Sequence, residues 1–270
     1  MPTTTADATH DLLRGIARDH HTDALVLTAL PDIRWACGFT GSNGLLIAHP
    51  DRLLFLSDGR YTEQADREVQ NAEVHTPGYS LWEYVEEEGL LDDVDSILVQ
   101  ADKVTVKTLH GWRERFPGIT WEEGSGLLTT YRGSKSEAEV EKLRAAQKIT
   151  DTVFAELCDW IEPGVTEREV GAEIVYRHLR HGADTMSFDP IVASGPNGAL
   201  PHARPSDRTL REGELIVIDM GCFLNGYASD MTRTIALGEP SGEARRVYNI
   251  VLEAQEAALQ SARSGITGTD

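Results

Sequence analysis

The stretch that most constrains how this chain folds is residues 215–234, LIVIDMGCFLNGYASDMTRT. It predicts two strands joined at Asn225-Gly226, because both turn residues tolerate the positive φ of a type I′ hairpin. A two-residue turn there sets Leu224 opposite Tyr227, Gly221 opposite Asp230 and Asp219 opposite Thr232. Paired residues share a face and faces alternate along a strand. Asp219 and Asp230 are then diagonal neighbours on one face, roughly 7–8 Å apart at the backbone. Two inward carboxylates behind the apolar run at 215–218 are costly to bury unpaired; a bound cation, or two, is the economical remedy, and carboxylate pairs of this kind suit a two-metal site. The competing readings are a solvated hairpin with both acids in water, and an Asp230 paired with Arg233 or Arg204.

Charge narrows the function classes. The 270 residues carry 25 basic and 44 acidic side chains, a formal charge of −19. That balance argues against nucleic acid and anionic membranes as partners. Three cysteines, Cys37, Cys158 and Cys222, lack metal-site spacing and suit free thiols in a reducing cytoplasm. The opening residues MPTTTADATHDLL hold neither the basic nor the apolar segment of a signal peptide, and no apolar run is long enough to cross a bilayer.

The first 130 or so residues alternate short apolar runs with helical patterns, an α/β arrangement. Strands are expected at 24–27, 44–47, 53–56 and 96–99, and helices near 6–19, 61–70 and 105–115. A linker at 131–135 separates this domain, 1–132, from a second at 136–270. The second opens with Ser136-Glu-Ala-Glu139, a capping box in which the Ser side chain and the Glu three residues on serve each other's exposed N–H groups. Thr166-Glu-Arg-Glu169 repeats that pattern before a helix running to about 180. Another helix is expected from 242 to about 262. Ser264-Gly265-Ile266-Thr267 echoes Pro163-Gly164-Val165-Thr166 at an offset of 265 − 164 = 101 residues, a weak internal repeat that stops just after its turn in the second copy.

Three segments resemble the M24 metallopeptidases, specifically the Xaa-Pro aminopeptidases and Xaa-Pro dipeptidases. PDIRWACGFTGSNG at 31–44 and SDGRYTEQA at 57–65 are similar to a creatinase-type N-terminal domain. SFDPIVASGPNGALPHARPSD at 187–207, followed by the aspartate hairpin, is similar to the first half of the α+β pita-bread catalytic domain. The resemblance implies two divalent ions, manganese with cobalt or zinc as alternatives, held by five ligands of which Asp219 and Asp230 match two. It implies that His202 contacts the substrate and the developing tetrahedral centre. It further implies a peptide substrate with proline in second position and a homodimer. A histidine and two glutamates of the family pattern have no match here, since His202 is the last histidine of the sequence. The expectation is therefore a chain that ends early in the second half of its catalytic domain and is inactive alone. A non-enzymatic pita-bread binding module and a metal-free creatinase-like hydrolase are the alternatives.

Other histidines and arginines have structural readings. His178 and His181 near a helix end suit dipole partners, and His20-His21 a solvated surface pair. Arg60 reads as a structural or interface residue, and Trp160 as core.

Overall fold

The computed structural model describes residues 6–269. The chain divides into two compact units, Met1–Ser136 and Glu137–Asp270. The first contains helix α1 (Ala6–Asp19), strand β1 (Ala24–Leu27), helix α2 (Leu30–Cys37), strands β2 (Leu45–Ala48) and β3 (Leu53–Leu56), helix α3 (Thr62–Glu68), strand β4 (Glu73–His75), helix α4 (Leu81–Glu87), strand β5 (Ser96–Gln100), helix α5 (Val106–Arg115), strand β6 (Thr120–Gly124) and the short helix α6 (Thr129–Gly133).

The strands form one mixed sheet in the order β4-β3-β2-β1-β5-β6. Strands β1, β2 and β3 are apolar and buried at every position, as expected where helices cover both sides. Leu25, Leu27, Leu46 and Phe55 pack against α1, α2 and α3. Their alternates Val26, Ile47, Leu54 and Val99 pack on the other side with Val85 of α4 and Leu109 and Trp112 of α5.

Several elements were not expected from sequence. Helix α2 begins with Pro31 in its first turn and ends at Gly38, whose φ of +87° supplies a left-handed cap. Edge strand β6 is polar and shows no apolar alternation. Residues 131–133 of the expected linker belong to α6, where Arg132 pairs with the buried carboxylate of Asp32. Asp32 also accepts from Gln100 Nε2 at 2.5 Å.

The second unit contains helices α7 (Glu137–Trp160) and α8 (Glu167–Arg180). Strands β7 (Thr185–Met186), β8 (Ile191–Ser194), β9 (Leu215–Met220), β10 (Cys222–Leu224), β11 (Tyr227–Ala228) and β12 (Met231–Ala236) follow, then helix α9 (Gly242–Ser261). Its strands make two three-stranded sheets, β11-β10-β7 and β12-β9-β8. Ile216, Ile218, Met220 and Met231 pack with Val153 and Leu157 of α7 and Val170 and Ile174 of α8. The Thr166–Glu169 capping box is formed at the start of α8. Gly164 and Gly265, the matching glycines of the repeat, both have left-handed backbones, φ +98° and +90°. No helix among the described residues is long and apolar enough to cross a membrane.

Candidate active site

The aspartate hairpin has the expected register. Leu224 pairs with Tyr227 and Asp219 with Thr232, and Asn225 and Gly226 have φ of +50° and +75°. The hairpin is not one flat ribbon, however. Each arm breaks near Gly221, so that β10 and β11 join one sheet and β9 and β12 the other. The register survives the break: Ser229 N–H donates to Cys222 O at 2.8 Å, and continuing the count sets Gly221 opposite Asp230. A Cβ on Gly221 would lie 2.1 Å from Ser229 O and 2.6 Å from Ser187 Oγ. Only glycine permits that approach.

A buried polar chain braces the bend. Ser229 Oγ accepts from Cys222 N–H at 2.9 Å and lies 2.7 Å from Thr150 Oγ1, which lies 3.2 Å from His178 Nε2. His178 Nδ1 is 2.8 Å from Ile174 O. That carbonyl can only accept, so Nδ1 carries the proton and Nε2 accepts from Thr150. Burial lowers the His178 pKa and keeps the ring neutral. His178 is thus a fully buried brace and not the dipole partner expected of a histidine near a helix end. His181 is the C-cap residue of α8 and meets Glu156 at 2.8 Å.

Asp230 directly follows Ser229 and is exposed; Asp219 is half-buried. The expectation of two buried carboxylates is corrected here, because the buried face of β9 carries Ile216, Ile218 and Met220 and the acids lie on the other, more open one. Thr232 Oγ1 donates to Asp219 Oδ1 at 2.8 Å. Asp219 Oδ2 and both Asp230 oxygens have no hydrogen-bond or ion-pair partner among the described residues. Neither the Arg233 nor the Arg204 pairing with Asp230 forms; Arg233 donates instead to Thr232 O. Free carboxylate oxygens are the donors that hard divalent cations take, so these two residues fit metal ligation in donor chemistry.

His202 is exposed on the loop between β8 and β9 and lines a cavity of 490 Å³. Neither aspartate lines that cavity. Ile191 does, and Ile191 is the residue across the ladder from Asp219, so cavity and aspartate hairpin meet at one strand pair. Sequence reasoning missed what holds the His202 loop. Glu167, fully buried at the first position of α8, accepts from Ser194 N–H at 2.8 Å and Ser194 Oγ at 2.7 Å. It also accepts from Asn197 Nδ2 at 3.0 Å, Ser206 N–H at 3.2 Å and Ser206 Oγ at 2.6 Å. Burial acts to raise its pKa, but the hydrogen bonds outweigh it and hold the group below the usual carboxylate value. One anion therefore ties together both flanks of the loop. The available signal was Ser194, Asn197 and Ser206 surrounding a Gly/Pro-rich segment after an acid-headed helix; that acid alone reads only as a helix-dipole partner.

A second cluster, His49, Asp51 and Asp93 in the first unit, brings its side-chain ligand atoms within 4.8 Å of one another. There His49 Nδ1 accepts from Asp51 N–H at 3.3 Å, so Nε2 carries the proton and donates to Asp93 Oδ1 at 2.9 Å. That is a hydrogen-bonded brace on the β2–β3 turn. Arg60 folds back on Asp58, with Nε 2.8 Å from Oδ1, and holds that carboxyl well below the usual range. Trp160 is half-buried, with the Arg177 guanidinium 5.9 Å from its ring centroid, and is not a full core residue. His20 and His21 are exposed as expected.

Comparisons with known proteins agree on the lineage. Residues 141–270 match the model of metallopeptidase family M24, and residues 10–133 that of the creatinase/prolidase N-terminal domain. The uncharacterized peptidase YqhT of Bacillus subtilis is 32% identical over 248 residues, covering 92% of this chain and 70% of its own length. An uncharacterized peptidase of Staphylococcus aureus is 36% identical over 173 residues, of which this chain spans 49% of the length. Among solved structures, an Xaa-Pro dipeptidase from Bacillus anthracis superposes with a TM-score of 0.92 at 33% identity, covering 98% of this chain and 74% of that one. An X-Pro aminopeptidase from Thermotoga maritima gives 0.87 at 33%, covering 94% and 74%. With a creatinase-type first unit and a pita-bread second unit bearing the aspartate hairpin, the chain belongs to the M24 family of metallopeptidases.

Proposed function

We propose that this chain carries the aspartate half of a dinuclear Xaa-Pro exopeptidase site, in which Asp219 and Asp230 hold divalent ions and His202 contacts the peptide. The observation that carries this reading is the hairpin register, which sets two acids with unpartnered oxygens on either side of the Gly221 bend. Bound divalent ions would supply water activated at neutral pH and positive charge for the developing oxyanion. Thr232 orients Asp219 by occupying Oδ1 and leaving Oδ2 free. His202 offers an imidazole N–H to the scissile carbonyl or to the oxyanion that forms from it. The Glu167 network fixes the loop backbone that presents this ring, so little ordering entropy is lost on binding. Manganese is the proposed metal and a peptide with proline in second position the proposed substrate, in line with the proline-directed activities named for the two bacterial structures. The free thiols Cys37, Cys158 and Cys222 support a reducing, cytoplasmic setting.

Calorimetric titration with manganese tests the assignment. Two carboxylates alone should bind weakly, and Asp219→Asn should remove most of that binding. Identical isotherms for wild type and variant would refute the ligand assignment.

A further inference from the structure

A second cavity, of 340 Å³, lies where the end of α7 meets the exposed side of α8, and the reading above leaves it unused. It has only Ala172 in common with the cavity beside His202. Trp160 of α7 and Val165 of the connecting turn line it together with Glu169, Ala172, Glu173 and Tyr176 of α8. The four α8 residues are spaced i, i+3, i+4 and i+7, which puts them on one helix face; Val170 and Ile174 turn the other way into the core. Ala172, with only a methyl group, leaves a hollow among its larger neighbours, and Tyr176 beside it is 56% exposed. Glu169 and Glu173 stand one helical turn apart, about 5–6 Å between Cβ atoms, a spacing at which like charges repel. Glu169 commits Oε2 to the Thr166 N–H and hydroxyl, at 2.8 and 2.7 Å. Glu173 Oε1 takes a bond of 3.4 Å from Arg177 Nη2, whose guanidinium makes a shorter one to Glu156 at 2.9 Å. The other oxygen of each glutamate has no partner among the described residues, and no lysine or arginine among them lines the cavity.

We propose that this cavity binds a small primary alkylammonium ion, its charged head between Glu169 and Glu173 and its carbon chain against Trp160, Val165 and Tyr176. An ammonium supplies N–H donors to the two free carboxylate oxygens, and between them it relieves the repulsion of like charges one turn apart. Aromatic faces attract cations through the ring quadrupole; the Arg177 guanidinium, 5.9 Å from the Trp160 centroid, shows that this ring already takes one. The apolar stem of the ligand gains from leaving water for the aromatic and aliphatic walls. A volume of 340 Å³ lies in the range of small-molecule sites, and the chain's charge of −19 raises the local concentration of cations. A neutral molecule of the same shape gains only the walls, and an anion is repelled.

The test titrates the full chain, in EDTA and at constant ionic strength, with pentylammonium, its neutral analogue pentanol and the anion pentanoate. The indole N–H resonances are followed by NMR, and the Trp160 resonance is the one that disappears in Trp160→Phe. Pentylammonium is expected to shift that resonance saturably and to bind about tenfold more tightly than pentanol, with no binding of pentanoate. Glu169→Gln and Glu173→Gln should each weaken the amine severalfold, and the double variant should bring it to the level of pentanol. A glutamine at 169 keeps a carbonyl oxygen for the Thr166 cap, and unchanged circular dichroism checks that α8 survives. Glu173 lies outside the cap, so Glu173→Gln alone decides the matter if the double variant folds less well. Equal affinity for amine and alcohol, or a preference that survives the substitutions, would overturn the proposal. So would saturable binding that leaves the Trp160 resonance in place, as expected of an amine held in the cavity beside His202, or no binding at millimolar concentration.

Discussion

Replacing Glu167 with glutamine is the most searching perturbation of this site, because it changes almost nothing except one acceptor. The side chain is fully buried, and its two oxygens receive the Ser194 and Ser206 backbone N–H groups on opposite sides. A glutamine must aim its NH2 at one of them. In either orientation a donor then faces a buried backbone donor, and no rotamer relieves both. Losing one hydrogen bond to a charged acceptor costs about 1.5–3 kcal/mol, and the stranded N–H adds about 1–3. The sum, about 2.5–6 kcal/mol, is a large share of the roughly 5–15 kcal/mol available to a domain. At about 3 °C per kcal/mol for a unit of this size, the melting temperature should fall by about 8–18 °C. The pH dependence follows from the lowered pKa of the group. A carboxyl whose folded pKa is depressed stabilises fully above its unfolded value and loses that contribution as pH falls through the folded one. The gap between wild type and Glu167→Gln in urea unfolding should therefore be widest at neutral pH and narrow below about pH 4.5. Tryptic cleavage after Arg208, in the same loop, should accelerate in parallel. A gap under about 1 kcal/mol at pH 7, or one unchanged down to pH 3, would refute the claim that this anion organises the His202 loop.

Gly221→Ala should cost about 3 kcal/mol or more, since its Cβ meets the Ser229 carbonyl, a backbone atom that cannot rotate away; thermal unfolding checks this. Expressed as residues 1–136, the first unit should unfold cooperatively on its own. Within it Arg132→Gln should lower stability by about 2 kcal/mol, because the nearly inaccessible Asp32 carboxylate loses its cation; urea denaturation of the two proteins measures the difference.

What the sequence disclosed follows a physical division. The turn at Asn225-Gly226, the Thr166–Glu169 box and the run of α8 to Arg180 are set by neighbours within four residues, and each is legible from them. Strands β1 and β3 were legible because continuous apolar runs have few other uses in a sheet covered on both faces. The break at Gly221 was not, because it depends on Ser229 and Ser187, which reach it only through the folded chain. His178 shows the same limit: its position near the end of α8 suggested a dipole partner, whereas Thr150 on α7 makes it a buried acceptor. Helix α2 was missed despite Pro31 and Gly38, which mark its ends, because eight residues give too little periodicity to count. The candidate site divides likewise. Asp219 and Asp230 were marked by the hairpin turn and His202 by the family resemblance, while Glu167 was concealed inside a capping motif whose ordinary purpose explained it away.

The bend in the aspartate hairpin makes the gap between the two acids adjustable. On a flat ladder that gap would be fixed by the pleat, and only a register slip could alter it. Here Asp219 precedes Gly221 on one sheet, and Asp230 follows Ser229 where the partner arm passes between sheets. Their separation therefore depends on the angle at a hinge held by Ser187, Ser229, Thr150 and His178. Substitutions among those four would open or close the carboxylates like a caliper without touching either one. Under the proposed ligation by Asp219 and Asp230, that angle would set the ionic radius the pair can span, through residues that lie away from the carboxylates.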